Sequence, residues 1–435
     1  MMHSNTLFFG DTFTRDLDLL VRDSSLSDSD LYNDAKRHLQ VLVHPSFADI
    51  DQPAWVRRIQ PFYGFSITYS SSKLFDALYQ TADELGLASG KRYVSAAVCL
   101  CARRTETEAA ASLEDASKRK AEALSQLASE WIAFMLWPFF IEGNKVVGEF
   151  SEQASYYELP PEQMPSQNRN GRLLVDSEHL LKRCGYTCFM TGAVHNCAPS
   201  ELLAELFDGP GLVHISNLYV AQIFRPPSAT GERGIRDEDE TITSDILRHF
   251  CYPFHVDGIE VIKEGVTEAR NSLVMSANAC MTFNSFRWCL HPTPVPNQYH
   301  INVYQRNWVG TQYVASPVTF KDLSSEYSSK TLRAPTRPFN FLEDRNPTRP
   351  PCAHDLDLPS ADLLRVHAAL TGVLQLSGVI TAFDAIRASL SFAKSCIPGA
   401  SGSAFLESVV AYEGREVCAE VEEEMSVEEA VEDSD

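Results

Sequence analysis

The sequence predicts an α+β protein built from more than one structural unit. Its 435 residues are too many for a single small domain. Apolar residues recur at helical spacing through the first third of the chain. Residues 172–310 instead contain short runs rich in β-branched and aromatic side chains. Apolar residues make up 44% of the chain, which is enough for sizeable cores and excludes wholesale disorder.

Helical patterns fill the N-terminal part, and they predict a helical domain over residues 1–150. The patterns cover residues 11–45, 70–87, 92–104 and 109–137. We expect Pro138 to end the last and longest helix, because proline lacks the N–H that a helix interior needs.

Changes in composition define the remaining segments. Residues 151–171 are polar and rich in proline, which predicts a linker before an α+β domain over 172–310. Prolines and arginines over 311–360 indicate an extended segment. Amphipathic helices are predicted over 361–395, packed on the α+β domain, and a disordered acidic tail over 413–435.

The charge of the chain is strongly negative and concentrated at one end. There are 37 basic and 58 acidic residues, so the net charge is −21. Residues 416–435 hold ten acidic residues and no basic one. A tail of this kind can bind basic proteins such as histones. An acidic protein also lacks the overall electrostatic footprint of a nucleic-acid-binding protein.

The same survey predicts the compartment. The chain begins without a basic flank or cleavage site of a secretory signal, and its 11 cysteines are scattered and odd in number. We therefore expect reduced thiols in an intracellular protein, nuclear or cytoplasmic and not secreted. No apolar run reaches the roughly 20 residues of a membrane span, so no membrane partner is expected. The oligomeric state stays open.

Four stretches together resemble the HNH nuclease domain of a large fungal protein family. Residues 183–192 (RCGYTCFMTG) resemble its opening hairpin, "R-D-G-Y-R-C-x-x-T-G". Residues 218–224 (LYVAQIF) stand where the family has "L-x-x-A-H-I-I-P", residues 270–273 (RNSL) match "x-N-x-L", and residues 280–283 (CMTF) stand where "H-x-x-F" is expected. The resemblance continues to a C-terminal helix at about 364–378 and implies an HNH, or ββα-metal, domain with helices on both sides of it.

The resemblance assigns motif positions residue by residue. The general-base position falls on Gln222, the middle position on Asn271, and the helix metal position on Cys280. The structural positions of the motif are retained in Gly185, Tyr186, Cys188, Gly192, Ala221 and Phe283.

Two of the three signature residues are replaced, and both losses affect chemistry. Hydrolysis of a phosphodiester needs a base to activate water and a cation to stabilise the developing charge. Glutamine has no titratable group. A thiolate can bind zinc but suits magnesium poorly. The sequence therefore predicts a degenerate centre in which Asn271 survives.

Three functions remain open on this basis. The first is a non-catalytic module that binds nucleic acid, such as DNA, or another partner. The second is an active metal-dependent endonuclease with a rearranged site, in which Cys280 holds a divalent metal (zinc or magnesium) and a distant histidine such as His249 or His255 acts as base. The third is a regulatory or scaffold protein that acts through its acidic tail. No cofactor follows with certainty from any of them.

Two groups of cysteines have competing interpretations. The residues Cys184, Cys188, His195 and Cys197 could hold a structural zinc, but their spacing is loose and packed reduced thiols are the alternative. Cys99 and Cys101 lie in an apolar helical pattern and are predicted to be core residues.

Overall fold

The computed structural model describes most of the folded part of the chain. The described ranges are 8–59, 67–106, 112–144, 177–208, 214–225, 237–251, 269–305, 317–327 and 357–392. Helices dominate these ranges and the strands form small sheets, which confirms the predicted mixture of helix and sheet in its general form. The predicted linker at 151–171 and the acidic tail at 413–435 lie outside the described residues, as does most of the Pro/Arg segment at 311–360.

The chain divides into two compact units that are each discontinuous in sequence. Unit 1 comprises residues 1–139, 227–252 and 373–435, and unit 2 comprises 140–226 and 253–372. The segment 227–252 belongs to unit 1, although the sequence analysis placed it within the 172–310 domain. The C-terminal helices are likewise divided between the units at residue 372.

Unit 1 is helical. The long described helices are α1 (Asp11–Arg22), α2 (Asp28–Leu39), α5 (Ser71–Leu85), α6 (Ala88–Glu106), α7 (Leu113–Trp131) and α10 (Asp237–Cys251). Two short helices, α3 (Ala48–Asp51) and α4 (Ala54–Ile59), follow α2, and α14 (Val379–Phe392) comes last. These helices confirm the predicted patterns in the first third of the chain, except that residues 11–45 form two helices.

Helix α6 lies at the centre of unit 1. It packs against α1, α2, α5, α7 and α10, and small side chains along it allow these close approaches. A methyl group added at Gly90 would lie 2.3 Å from the carbonyl oxygen of Phe250 in α10. Cys99 and Cys101 are both fully buried on α6, as predicted.

Pro138 does not end the long helix, which continues to Asn144. A π-helical turn, Ile132–Leu136, precedes the proline. In a regular α-helix the N–H of residue 138 would donate to the carbonyl of residue 134. The hydroxyl of Thr243 on α10 donates to the Phe134 carbonyl instead, at 2.7 Å in a buried position. The helix therefore tolerates the proline because a neighbouring helix supplies the missing donor.

This long helix is also the one stretch of the described residues that is apolar and long enough for a membrane span. Its range is Leu113–Asn144, and 78% of its most apolar window is buried inside the protein. Burial on this scale is typical of a core helix. The segments Ala361–Leu376 and Val379–Arg387 pass the same test only when they are counted as one bent pair.

Unit 2 combines short helices with three small sheets among its described residues. The helices are α8 (Ser177–Arg183), α9 (Ser200–Phe207), α11 (Ala277–Asn284), α12 (Ser324–Tyr327) and the larger part of α13 (Ala361–Leu376). The strands are β1 (Val194–His195), β2 (Ile215–Ser216), β3 (Leu218–Gln222), β4 (Ser272–Ser276), β5 (Trp288–Pro292), β6 (Gln298–Val303) and β7 (Val318–Thr319).

The sheets are simple in topology. Strands β1 and β2 pair in parallel, β3 and β4 pair antiparallel, and β5, β6 and β7 form an antiparallel sheet in that order. Helix α11 starts directly after β4 and packs on both β3 and β4. This β3–β4–α11 arrangement carries the residues that the sequence analysis selected.

We predict that Thr243→Val destabilises unit 1 by about 1–3 kcal/mol, because the buried carbonyl of Phe134 loses the hydrogen bond from the Thr243 hydroxyl. In a Pro138→Ala background the alanine N–H can take over that carbonyl, so the same substitution should cost clearly less. Urea unfolding of the four proteins gives this double-mutant cycle. If Thr243→Val lowers the free energy of unfolding equally in both backgrounds, the Thr243 hydroxyl does not take the place of the missing N–H of residue 138.

Candidate functional site

The candidate site is built on two antiparallel strands and the helix that follows them. Leu218 pairs with Ser276 at one end of the β3–β4 ladder, and Gln222 pairs with Ser272 at the other. The polypeptide between the strands leaves and re-enters the ladder at the Gln222 end. Asn271 therefore lies directly beside the end of β3, although it follows Gln222 by 49 positions along the chain.

Asn271 fixes the backbone that continues from β3. Its side-chain Oδ1 accepts the N–H of Phe224 at 2.9 Å, and its Nδ2 donates to the Phe224 carbonyl at 2.8 Å. The backbone carbonyl of Asn271 also accepts the N–H of Ile223, at 2.9 Å. An amide is suited to this task because it offers a donor and an acceptor side by side. The retained asparagine thus has a structural role.

Arg183 fixes the turn that carries Asn271. It is the last residue of α8 and is 3% exposed. Its guanidinium donates to three carbonyls, those of Ala269 at 2.6 Å, Ser272 at 2.8 Å and Asp357 at 2.9 Å. The carbonyls of Ala269 and Ser272 lie on either side of Asn271 in the sequence, so Arg183 holds the backbone that carries the asparagine. The charge is compensated by carbonyl dipoles, which explains how a cation can be buried here.

Gln222, at the general-base position, is exposed at the end of β3, whereas the preceding Ala221 is fully buried. Successive side chains of a strand point to opposite faces, so Gln222 lies on the face opposite to Ala221. The side chain can reach solvent and can form hydrogen bonds, but it cannot take a proton from water.

Cys280, at the helix metal position, is completely buried on α11. Asn284, one turn later, donates from Nδ2 to the Cys280 carbonyl at 2.9 Å and to Sγ at 3.4 Å. Burial raises the pKa of the Cys280 thiol to about 12, while the positive charge of Arg225 acts in the opposite direction. The sulfur is therefore a neutral thiol at physiological pH.

The predicted hairpin residues form a tight turn that packs on this layer. Gly185, Tyr186 and Gly192 all have positive φ angles, of 62°, 56° and 70°. A methyl group at Gly185 would lie 2.9 Å from Leu323 Cδ1, so both backbone and space favour glycine. Cys188 is fully buried, and its Sγ lies 3.9 Å from the Ser276 hydroxyl at the end of β4.

A buried histidine supports α11 from the other side. The ring of His367 on α13 stacks on Phe283 at 3.7 Å between centroids, and its Nε2 lies 3.2 Å from the Phe283 carbonyl. That contact assigns the proton to Nε2, since a carbonyl can only accept. Burial lowers the pKa of His367 to about 3. His367 is thus a packed core residue.

The residues at this site do not fit a bound divalent metal. Gln222 offers one neutral amide oxygen and Cys280 a buried neutral thiol, and the segments 214–225 and 269–305 contain no Asp or Glu. Metal ligands of this kind must be deprotonated or anionic. Within the described ranges the one group of three metal-binding side chains lies elsewhere, in unit 1.

The structure places the other candidate metal ligands and bases in separate local contacts. Cys184 Sγ lies 3.3 Å from the Leu181 carbonyl, and His195 Nδ1 accepts the N–H of Cys197 at 3.1 Å, so these residues make separate local contacts rather than one ligand set. His249 belongs to unit 1, where it stacks on Tyr93 and lies 2.9 Å from Asp18. His255 lies outside the described residues.

Sequence reasoning overlooked two features of this site. The first is Arg225, which follows the Asn271-bound segment and influences Cys280. The second is the absence of acidic residues from 214–225 and 269–305, in a chain where 58 of 435 residues are acidic. At that frequency about six would be expected among these 49 residues. A local charge count along the sequence would have found this.

Comparison of the chain with protein-family models, with curated proteins and with solved structures gives no match. The function therefore has to be inferred from the site itself.

We predict that the stability of α11 and α13 falls as the pH is lowered from about 6.5 towards 3. In this window the unfolded chain binds a proton at His367 and the folded chain does not, so the free energy of opening falls by up to about 1.4 kcal/mol per pH unit. Hydrogen exchange of peptides from these helices at pH 7 to 5 measures the slope.

His367→Gln keeps an N–H donor for the Phe283 carbonyl but cannot titrate, so it should flatten this slope. His214→Gln, at an exposed position, is the matched control and should leave the slope unchanged. A slope that survives in His367→Gln would place its origin in another group.

Proposed function

We propose that unit 2 contains an HNH-like module of the ββα-metal type that has lost its hydrolytic centre and binds nucleic acid without cutting it. The observation that carries the proposal is the Asn271 contact with Phe224, which lies at the junction of two antiparallel strands followed by a helix.

The order of elements supports the HNH-like assignment. In the family that the sequence resembles, a hairpin and a helix surround the active site, and the middle asparagine orients the hairpin. Here β3, β4 and α11 occur in that order, and Asn271 holds the backbone just after the general-base position. The turn at Gly185 and the aromatic residue Phe283 occupy the positions that the motif assigns to them.

The loss of hydrolysis follows from the two replaced positions. A nuclease needs a base near neutral pH and a cation at the phosphate. Gln222 cannot act as the base, and Cys280 is held as a buried thiol with Asn284 as its partner. A rearranged metal centre would need carboxylates or histidines beside Cys280. The segments 214–225 and 269–305 provide no carboxylate, and among the described residues none of their histidines forms a group of three metal-binding side chains with Cys280. The active-endonuclease alternative is therefore disfavoured.

The charge distribution favours nucleic acid as the ligand. Although the whole chain is acidic, the two segments that form the ββα layer lack acidic residues and carry Arg225, Arg270 and Arg287. Arg270 is exposed next to Asn271, and Arg225 is partly exposed at the end of the segment that Asn271 binds. Arg287 is buried, so Arg225 and Arg270 are the arginines of these segments that can contact phosphates by charge-assisted hydrogen bonds.

A nicking assay tests the loss of catalysis. Purified full-length protein is incubated with supercoiled plasmid and magnesium, manganese, nickel or zinc, beside the Asn271→Asp variant, which loses the donor to Phe224. We expect no nicking by either protein above the metal-only control. Metal-dependent nicking by the unmodified chain that disappears in Asn271→Asp would overturn the proposal.

A binding assay tests the ligand class. Fluorescence anisotropy with a labelled 30-base-pair duplex at low salt should show binding that weakens by roughly three- to tenfold in Arg225→Ala and in Arg270→Ala, with a smaller salt dependence. Arg22→Ala is the matched control, because Arg22 is exposed on α1 in unit 1 and removes the same charge. Equal weakening in all three variants, or no binding at all, would contradict nucleic-acid recognition by this site.

A further inference from the structure

A second cluster of reactive side chains lies in unit 1, apart from the ββα layer. Asp34 and His38 are one turn apart on α2, and Cys99 faces them from the central helix α6. One ligand atom from each residue lies within 4.8 Å of the others. Helices α2 and α6 pack together closely along this contact, so the backbones hold the three side chains in place.

The distances within the cluster are compatible with ligands that share one ion. His38 Nε2 lies 3.7 Å from Asp34 Oδ1, and Cys99 Sγ lies 3.7 Å from Asp34 Oδ2. A nitrogen–oxygen hydrogen bond is about 2.7–3.2 Å long. The ligand atoms of a tetrahedral zinc site with normal bond lengths are about 3.3–3.6 Å apart. The His38–Asp34 contact is therefore longer than a hydrogen bond, whereas the Cys99 thiol donates to Asp34 Oδ2 and, at the same distance, to the Leu31 carbonyl. All three ligand atoms nevertheless lie close enough together to share one ion.

The types of ligand select the ion. A thiolate, an imidazole and a carboxylate are a ligand set that suits zinc, whereas magnesium and calcium prefer oxygen ligands. Two anionic ligands and one neutral ligand also balance the charge of a divalent ion. Cys99 is fully buried, while the His38 and Asp34 side chains are 16% and 29% exposed. An ion can thus reach the cluster from the His38 side.

Several charged groups surround the cluster. Arg37 and Arg103 contact Asp34 at 3.0 Å and 4.0 Å, and their side chains are 78% and 50% exposed, so both can turn towards solvent. Lys120 and Glu106 also act on His38, and they pair with each other at 2.7 Å. The carboxylate of Glu106 therefore lies near His38, on the partly exposed side of the cluster.

We propose that Asp34, His38 and Cys99 form a zinc site that links α2 to α6, with water as the fourth ligand. Burial and the neighbouring Asp34 raise the pKa of the Cys99 thiol to about 12, as burial does for Cys280, but Cys99 has a carboxylate and an imidazole beside it that Cys280 lacks. On binding, a zinc–sulfur bond forms, the Cys99 S–H bond breaks and its proton passes to solvent. The aspartate and the neutral imidazole bind without losing a proton. The site stabilises unit 1 and is independent of the proposed function of unit 2.

Cobalt(II) titration of the reduced full-length protein tests the site, because cobalt replaces zinc and reports thiolate ligation by a near-ultraviolet charge-transfer band. We expect this band to saturate at one equivalent and to disappear when zinc is added. Cys99→Ala should abolish the band. Cys101→Ala is the matched control, since Cys101 is equally buried on the same helix but lies outside the cluster, and it should keep the band.

A second measurement keeps the test decisive if Cys99→Ala folds poorly. His38→Gln changes only a partly buried side chain, and it should lose the bound zinc measured by elemental analysis and the zinc-dependent rise in melting temperature. A charge-transfer band that persists in Cys99→Ala, zinc retained by His38→Gln, or no metal bound by the unmodified chain would each overturn the proposal.

Discussion

The geometry of the candidate site depends on the three hydrogen bonds from Arg183 to backbone carbonyls. They hold the turn from Ala269 to Ser272, and that turn presents Asn271 to the backbone of Phe224. The buried guanidinium restricts the turn to one position, because any shift of the turn would leave a desolvated charge without hydrogen-bond partners. The two side chains act in series, since Arg183 fixes Asn271 and Asn271 fixes the end of β3.

This arrangement explains how a motif can keep its shape without its chemistry. None of the hydrogen bonds of Arg183 or Asn271 involves Gln222 or the sulfur of Cys280. The layer is held by backbone carbonyls, by the Phe283–His367 stack and by the Gly185 turn, and these contacts have the same energy whether or not the centre is catalytic. On the proposed assignment, replacement of a base at Gln222 or of a ligand at Cys280 would leave the hydrogen bonds of Arg183 and Asn271 in place.

Much of the fold could be predicted from the sequence, and the failures have identifiable causes. Apolar spacing located α5, α6 and α13, and the β-rich composition of residues 172–310 located most of the described strands. The continuation of the helix past Pro138 could not be foreseen, because it requires the Thr243 hydroxyl from a distant segment. The Asp34–His38–Cys99 cluster was missed for the same reason: the spacing of Asp34 and His38 is visible on one helix, but their partner depends on the packing of α2 on α6.

The replacements at the candidate site are also consistent with one another. Arg225 acts electrostatically on Cys280, so a positive charge already lies near the position where the resembled family holds its metal. A guanidinium and a divalent cation repel each other in such a confined space. An anionic ligand set would normally offset that repulsion, yet the layer contains no Asp or Glu and its cysteine stays protonated. On the proposed function, Arg225 beside a neutral Cys280 takes the place of the metal centre and attracts a phosphate without activating water.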